Sequence, residues 1–197
     1  MPIEPLDLRH SALIVWDMQR GIAGRASNLA DLVPRVKILL AQYRIRGWPV
    51  VYSQHTTAPP EWGNPSMARS MSKRGVVPGS FRLLPGTPEW EILPEVAPRP
   101  EELVLSKTSP SFFVGTPLEQ MLRFRNIEVL VLTGVSTEAG IMGTARHAST
   151  LGFHPLVVED AVGSMSPEGN LAALSALRSL YDVESTESLI QRLPAPA

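Results

Sequence analysis

Asp17 is the first residue of the sequence whose type and position favour chemistry. It follows an apolar run, Ala12 to Trp16, whose unbroken hydrophobic character predicts a buried strand. A carboxylate at the carboxyl end of such a strand can accept or donate a proton in a binding site. An aspartate after a strand is also often only a turn or cap residue, so its position alone leaves both interpretations open.

A polar turn follows a second buried run further along the chain. Val129 to Leu132 form this run, Gly134 is predicted to stop it, and Ser136 or Thr137 can cap the helix that follows. Gly152 is predicted to close that helix. Three small or apolar residues keep helical spacing in between: Ile141, Ala145 and Ala148. Such a turn faces the carboxyl edge of a parallel sheet, where α/β proteins bind ligands.

Lys107 stands at the end of another predicted strand, Glu102 to Ser106. A lone lysine at a strand end is usually solvated, so its spacing assigns it no catalytic role. Thr116 and Pro117 come soon after it and are a good helix start on local grounds.

The segment around the polar turn resembles the isochorismatase-like (cysteine hydrolase) superfamily. The superfamily pattern is a glycine and valine, then a threonine, a nucleophilic cysteine and a helix containing Thr-Ala-Arg. The matching residues are Gly134, Val135, Thr137, Thr144, Ala145 and Arg146. The nucleophile position falls on Gly140, and the chain contains no cysteine, which excludes thiol catalysis. Glycine also stands there in isochorismatases proper, which split a vinyl ether without a covalent intermediate.

The resemblance extends over nearly the whole chain. Asp17 and Gln19 match the Asp-x-Gln signature of the first strand, and Glu159 to Ala161 match the end of the fifth. The stretch after Lys107 is similar to the catalytic-lysine segment through Ser111, Phe112, Thr116 and Leu118. The resemblance implies that Asp17 and Lys107 are catalytic. It also implies a group of substrate-binding or turn residues: Gln19, His55, Phe112, Val135, Ser136 and Thr137. A cis peptide is implied between Val135 and Ser136.

The implied chemistry needs an acid and no nucleophilic side chain. Asp17 would protonate the enol-ether carbon, and water would add to the resulting oxocarbenium ion with release of pyruvate. Gly140 would leave space for water or a bulkier substrate where the sulfur would be. Isochorismatases proper typically have Tyr-Ala-His where this chain has Ser136-Thr137-Glu138, so the substrate stays open. The alternative is a non-catalytic ligand-binding or assembly module that has lost the cysteine of an amidase ancestor.

Other catalytic devices fit the residues less well. The nicotinamidase branch of the superfamily holds a metal with an aspartate and histidines after the second strand, whereas His55 has no histidine companion nearby. We therefore expect no metal and no cofactor. The segment from Gly134 to Glu138 begins like a nucleophile elbow, but Glu138 replaces the required second glycine, which favours Ser136 as a turn residue.

Hydrophobic periodicity predicts the elements that position these residues. A core-facing helix runs from Leu29 to Tyr43, between Asn28 as cap and Gly47 as stop, and leads to a strand at Pro49 to Ser53. Strand, helix and strand of this length make a right-handed parallel unit. Three further elements complete the pattern: a fifth strand at His154 to Val158, a helix from Ser166 to about Leu180, and a weak sixth strand at Tyr181 to Glu184. The sequence thus predicts a three-layer Rossmann-like α/β fold with a six-stranded, mainly parallel sheet flanked by helices.

A proline-rich insertion at about 55–100 interrupts the pattern. It contains nine of the nineteen prolines, with one short helical turn suggested around Glu89 to Leu93 and a tail-like end to the chain at Leu193. Such an insertion favours a lid, a binding loop or an oligomer arm, with Trp62, Phe81 and Trp90 as anchors. A disordered linker is the alternative, which the three aromatic residues argue against.

The composition and charge of the chain limit the kinds of molecule that it is expected to bind. With 197 residues, 44% hydrophobic and 19% charged, the chain suits a single domain, 1–197, with a sizeable core. A net charge of −1 with interspersed signs gives no basic stripe for nucleic acid and no polybasic patch for a membrane. No basic leader and no long apolar run occur. We therefore expect a cytoplasmic homo-oligomer, dimer or tetramer, that acts on a small molecule.

Overall fold

Six parallel strands form the sheet of the computed structural model, which describes residues 5–73, 75–77 and 82–196. In chain order the strands are β1 (Ser11–Trp16), β2 (Val50–His55), β3 (Leu103–Lys107), β4 (Val129–Val135), β5 (His154–Gly163) and β6 (Asp182–Glu184). Across the sheet their order is β3-β2-β1-β4-β5-β6, with every neighbouring pair parallel. The order reverses direction beside β1, which places β1 and β4 at the centre of the sheet.

The helices of the described residues cover both faces of this sheet. They are α1 (Arg20–Ala23), α2 (Leu29–Ile45), α3 (Pro65–Lys73), α4 (Leu118–Phe124), α5 (Met142–Thr150), α6 (Pro167–Arg178) and α7 (Thr186–Arg192). Apolar residues of α2 and α7 pack in one core, and those of α4, α5 and α6 pack in the other. The predicted three-layer α/β fold is thereby confirmed.

β1 shows why the central strands are continuous apolar runs. All its residues are buried, and their side chains alternate between the two cores. Leu13 and Val15 lie in the core of α2 and α7, whereas Ala12, Ile14 and Trp16 lie in the opposite core. Neither face of such a strand contacts solvent, so polar and apolar residues do not alternate along its sequence.

Two strands run further than the sequence predicts. β4 continues through Gly134 to Val135, so the glycine does not stop the strand. Gly134 has φ +107°, and a Cβ there would lie 2.1 Å from the Trp16 carbonyl oxygen. Glycine is therefore needed because the β4 backbone passes very close to the end of β1. β5 likewise continues past Glu159 and Ala161 to Gly163, after a shift of register against β4.

The insertion contains a helix, α3, that the sequence analysis missed. Asn64 accepts hydrogen bonds from the N–H groups of Ser66 (3.0 Å) and Met67 (3.2 Å), and Pro65 takes the first helical position. None of the α3 residues is buried, so no core-facing stripe marks the helix. The predicted helical turn at Glu89 to Leu93 is wrong: Ile92 instead forms an antiparallel bridge with Gln19.

The anchors of the insertion also differ from those expected. Trp62 is 80% exposed, so it does not fasten the insertion within this chain, and Phe81 lies outside the described residues. Leu83 takes the anchoring role with 1% exposure. Trp90 fits the prediction, since it is half-buried and its indole N–H donates to Thr56 Oγ1 at 3.0 Å.

The end of the chain is more ordered than a tail. Helix α7 follows β6, with Ser185 Oγ accepting from the Ser188 N–H, and Leu193 is buried in the core of α2 and α7. Within the described ranges, no helix has both the length and the apolar character needed to cross a membrane.

Candidate active site

Asp17 lies immediately beyond β1, and both of its carboxylate oxygens accept hydrogen bonds. Ser53 Oγ, on β2, donates to Oδ1 at 2.6 Å, and Lys107 Nζ donates to Oδ2 at 2.7 Å. The Asp17 N–H in turn donates to Ser53, with 3.0 Å to Oγ and 3.2 Å to the carbonyl oxygen. Asp17 has φ +42° and is 5% exposed. The carboxylate is therefore held in one orientation, a condition for efficient proton transfer.

Lys107 reaches Asp17 from β3, which is not adjacent to β1. β2 stands between them, so the two side chains meet across an intervening strand. The lysine side chain spans this gap and is 1% exposed. Burial lowers the pKa of the Lys107 ammonium, and the charge and hydrogen bond of Asp17 oppose that shift.

His55, the last residue of β2, lies in the same buried group. Burial, followed by the Lys107 charge, lowers the pKa of the imidazole to about 4, and the Asp17 charge opposes this shift. His55 is therefore neutral near pH 7. It can donate or accept a hydrogen bond in the pocket but supplies no positive charge.

The space beside Gly140 is filled, contrary to the expectation that it stays open for water or substrate. A Cβ on Gly140 would lie 1.9 Å from Nε1 and 2.2 Å from Cε2 of Trp16. The edge of the indole ring therefore stands where the side chain of a residue at position 140 would begin. Phe112 packs edge-on against this ring with the centroids 5.6 Å apart, and Lys107 Nζ lies 4.2 Å from the ring centroid.

The turn after β4 keeps part of the expected arrangement. The Val135–Ser136 peptide is cis, as the resemblance implies, and both residues line the pocket. Ser136 precedes the helical turn Thr137–Ile141 but makes no capping hydrogen bond through its side chain. Thr137 is buried, with Oγ1 3.1 Å from the Gly163 carbonyl oxygen and 2.5 Å from Asn170 Oδ1. The Thr137 side chain thus holds the turn to the end of β5 and to α6.

Two residues expected to touch substrate are placed differently. Phe112 is fully buried behind Trp16, outside the pocket wall. Gln19 is also fully buried, and its amide is used entirely by the chain: Oε1 accepts from the His55 N–H at 2.7 Å, while Nε2 donates to the carbonyl oxygens of His55 (3.0 Å) and Trp90 (2.8 Å). Neither placement fits a substrate contact, and Gln19 instead joins the end of β2 to the insertion.

The pocket beside Asp17, His55 and Lys107 is small, and both polar and apolar side chains line it. Its volume is about 110 Å³, below the roughly 300–1,000 Å³ of pockets for drug-sized ligands. Polar and charged side chains form its floor, while Met67 and Met71 of α3 contribute to the wall from the insertion. Sequence reasoning missed several lining residues: Ile22, Arg25, Met67, Met71 and Met165. The spacing of the two methionines, one helical turn apart, was the available signal for α3.

A larger cavity, about 370 Å³, lies at the opposite end of the strands. It adjoins Val50 and Leu103, at the beginnings of β2 and β3. Arg44 and Glu102 on its wall are paired with each other, Nε to Oε1 at 2.7 Å. It contains none of the predicted catalytic residues, so the smaller pocket is the candidate active site.

The side chains that could bind a metal ion do not form a cluster in the described residues. Within the described part of the chain, no three histidine, aspartate or glutamate side chains are grouped in a way that could hold a metal ion. His55 has Asp17 and Lys107 as its charged neighbours, and an ammonium group so close opposes cation binding.

Comparison with known proteins identifies the family. A model of the isochorismatase domain matches residues 11–188. The ureidoacrylate amidohydrolase RutB of Variovorax paradoxus is 30% identical over 92% of this chain and 79% of its own length. The uncharacterized isochorismatase family protein YecD of Escherichia coli O157:H7 is 29% identical over 95% of this chain and 98% of its own.

Solved structures agree with these matches. The isochorismatase family protein of Burkholderia thailandensis is 29% identical and superposes with a TM-score of 0.79, covering 94% of this chain and 96% of that protein. The family model spans the sheet from β1 to β6 and includes every predicted site residue. The chain therefore belongs to the isochorismatase family, whose relatives identify it as a hydrolase.

Proposed function

We propose that this protein hydrolyses a small molecule without a covalent thiol intermediate, with Asp17 as the proton-transfer group and Lys107 as a fixed charge. One observation carries the proposal: a buried carboxylate and ammonium, 2.7 Å apart, line a pocket at the carboxyl edge of the sheet. Burial of such a pair is expensive and brings no assured gain in stability, so its position beside a pocket favours a functional purpose.

Two reactions use this pair in different ways. In vinyl-ether hydrolysis, Asp17 in its protonated form protonates the enol carbon, water adds to the oxocarbenium ion and returns a proton to Asp17, and the hemiketal collapses to pyruvate and an alcohol. In amide hydrolysis, Asp17 takes a proton from the attacking water, and the proton then passes to the leaving nitrogen. The ammonium of Lys107 stabilises negative charge that develops nearby in either reaction. Isochorismate and ureidoacrylate are therefore the first substrates to assay.

A second candidate function is non-catalytic ligand binding. The indole of Trp16 beside Gly140 favours it, because that ring fills the place where a nucleophile would attack a carbonyl. A protein of this kind would keep the pocket and the family fold while turning nothing over.

The Asp17→Asn variant tests the proposed mechanism. The substitution keeps the shape and hydrogen-bonding capacity of the side chain but removes its ability to transfer a proton. Turnover should fall by about 10²-fold or more, the usual scale of general acid–base catalysis, while ligand binding survives. Thermal unfolding is measured on the same variant, because Lys107 would lose its buried counter-charge.

Asp182→Asn provides the matched control, since Asp182 is an exposed carboxylate on β6. Its turnover should equal that of the parent protein. Undiminished turnover in folded Asp17→Asn protein would refute the mechanism. Absence of turnover by the parent protein on any enol ether, amide or ester would support the binding function instead.

We also propose that the protein works as a homo-oligomer in the cytoplasm. The exposed Trp62 of the insertion supports the first part, because tryptophan is enriched at protein–protein interfaces relative to the rest of the surface. Cell fractionation with a tagged copy of the chain tests the second part, and recovery in a membrane or secreted fraction would contradict it.

A further inference from the structure

The indole N–H of Trp16 is an unused hydrogen-bond donor at the centre of the pocket. Trp16 is 1% exposed, yet it lines the pocket, and its Nε1 finds no hydrogen-bond partner among the described residues. Nε1 is not among the fully buried polar atoms that lack a partner, so this donor is accessible from the pocket, whereas the indole N–H of a largely buried tryptophan usually bonds within the protein. A donor left free beside Asp17 and Lys107 indicates that its partner comes from outside the chain.

The indole ring is held in one orientation by contacts on several sides. Phe112 packs edge-on against it, and Lys107 Nζ lies over the ring, 4.2 Å from the centroid. Gly140, which lacks a Cβ, leaves the room that the N–H edge occupies: Nε1 would be 1.9 Å from a Cβ at that position. A donor fixed in this way loses little conformational freedom when a ligand binds.

We propose that Trp16 replaces the lost nucleophile with a hydrogen-bond donor, so that its indole N–H binds the carbonyl oxygen of a small neutral ligand. This inference rests on the proposed function, because it assigns a substrate contact in the same pocket. The nucleophile position of the family would then serve recognition of the reacting group instead of covalent attack.

The charges around the ring favour a neutral carbonyl over a carboxylate. Asp17 and Lys107 form an ion pair of opposite signs, His55 is neutral near pH 7, and Arg25, which also lines the pocket, already interacts with another part of the chain. The opposite charges of Asp17 and Lys107 largely offset each other for an incoming carboxylate, which would lose its hydration without a compensating attraction, whereas a neutral amide or ester oxygen would accept from the indole N–H at a smaller desolvation cost. The pocket of about 110 Å³ admits only a small group of this type.

Nuclear magnetic resonance of the indole N–H groups tests the inference on the intact protein. The chain has four tryptophans, Trp16, Trp48, Trp62 and Trp90, so the ¹H–¹⁵N spectrum contains four indole signals. Titration with acetamide should shift the Trp16 signal downfield in a saturable manner. Acetate should bind more weakly than acetamide. Substitution of each of the other three tryptophans with phenylalanine assigns the signals even if no Trp16 variant folds.

The Trp16→Phe variant removes the N–H and keeps an aromatic ring. Acetamide affinity should fall about tenfold, the usual value of one neutral hydrogen bond. The double variant Trp16→Phe with Gly140→Ala refills the space beside Gly140 and should show the same loss, which separates the missing donor from a packing defect.

Three results would overturn the inference: no saturable shift of the Trp16 signal, equal acetamide affinity in folded Trp16→Phe, or acetate binding as tight as acetamide binding. Failure of the proposed function gives a different result. A parent protein that binds acetamide through Trp16 but hydrolyses no substrate would refute catalysis and leave this inference standing. If turnover depends on Asp17 but neither binding nor turnover changes in Trp16→Phe, this inference is refuted and the proposed function stands.

Discussion

Trp16 and Gly140 are complementary in size, because the larger residue uses the space that the smaller one leaves. The indole edge is closer to the position of a Cβ on Gly140 than any non-bonded contact allows. Each residue therefore restricts what can stand at the other position. A substitution at either position must therefore be considered with the other residue, although the two are 124 positions apart in the chain (140 minus 16).

We expect Gly140→Ala to destabilise the protein by about 1–3 kcal/mol, the usual cost of overpacking a core. The new methyl group would meet Trp16 Nε1 at 1.9 Å, so the indole ring must move. Urea denaturation measures the change. Combining Gly140→Ala with Trp16→Phe should recover part of the loss, because the smaller ring lacks the clashing edge.

Gly169→Ala is the control for this prediction. A Cβ on Gly169, in α6, would lie 3.3 Å from the nearest atom, Ser166 Cβ, which is tight but far from a clash. Its free energy of unfolding should change much less. Wild-type stability in Gly140→Ala would show that the indole has another position available.

His55 should make the stability of the protein depend on pH. Its folded pKa of about 4 lies below the ordinary value of 6.5, so the unfolded chain binds the proton first as the pH falls. The contribution is complete above about pH 6.5 and is lost as the pH falls toward 4. Between pH 7.5 and pH 5 the loss should be about 2 kcal/mol.

Denaturation of His55→Gln at the two pH values checks this. The glutamine cannot titrate, so the variant should lose about 2 kcal/mol less than the parent protein over the same interval. His154→Gln, at an exposed histidine, is the matched control for replacing a histidine with glutamine. Identical pH dependence in His55→Gln and parent protein would contradict a buried neutral imidazole.

The sequence indicated the Asp17–Lys107 pair, the proposed catalytic groups, more clearly than the residues around it. Asp17 and Lys107 each end an apolar strand, and the resemblance supplied the reason to place them together. Trp16 gave no such signal, because an apolar residue in a buried strand indicates only burial. Its position against Gly140 depends on a contact between β1 and the turn after β4, which spacing along the chain cannot show.

At the scale of elements, the segment 89–93 fastens the insertion to the end of β1. The N–H groups of Arg20 and Gly21 donate to the carbonyl oxygens of Glu91 (2.8 Å) and Glu89 (2.9 Å). The Leu93 N–H donates to the Met18 carbonyl oxygen at 2.9 Å. This segment therefore lies directly behind the candidate active site, and the Gln19 amide joins it to β2.

We expect Gln19→Ala to loosen this segment. The substitution removes the hydrogen bonds that Gln19 makes with the His55 N–H and with the carbonyl oxygens of His55 and Trp90. Each of these groups that stays unpaired lowers the free energy of unfolding by about 1–3 kcal/mol. Hydrogen exchange of the Arg20, Gly21 and Leu93 amides should become faster. Gln191→Ala, at an exposed glutamine, is the control and should leave these rates unchanged. Unchanged exchange in Gln19→Ala would show that the backbone bonds alone hold the segment.

Sequence patterns predicted the elements that bury apolar residues and missed those that do not. β1, β2, β4 and α2 were all marked by runs or periodic apolar positions. α3 buries none of its residues, and the prolines of the insertion suggested a loop. β6 was predicted as a weak strand and is present at Asp182–Glu184, whereas α7 was missed, because tertiary packing decides so short a helix more than local preference does.

At the scale of the whole molecule, the parallel arrangement brings residues from three strands and one turn to a single edge. Asp17, His55 and Lys107 end β1, β2 and β3, and Ser136 follows β4. Because every strand runs in the same direction, all their carboxyl ends meet at that edge. The larger cavity lies at the other edge and shares none of these groups.

We expect sedimentation velocity to show a dimer or larger species. Trp62, 80% exposed, is the side chain on which this prediction depends, because tryptophan is enriched at interfaces and a neighbouring copy would cover its ring. Trp62→Ser should shift the equilibrium toward monomer. Phe124→Ser, which changes another exposed aromatic residue on α4, should have a smaller effect. A monomer at all concentrations, or equal effects of the two variants, would contradict this assignment.

The contact between Trp16 and Gly140 also has an evolutionary consequence. Glycine can become cysteine by a single-nucleotide change, yet in this chain the new side chain would collide with the indole before any thiol chemistry could be selected. A smaller residue at position 16 would have to come first, and by itself that change opens a cavity. The effect of each substitution therefore depends on the other, which is sign epistasis. In a lineage that carries this tryptophan, residue 16 therefore opposes the appearance of a cysteine at position 140, in addition to the identity of position 140 itself.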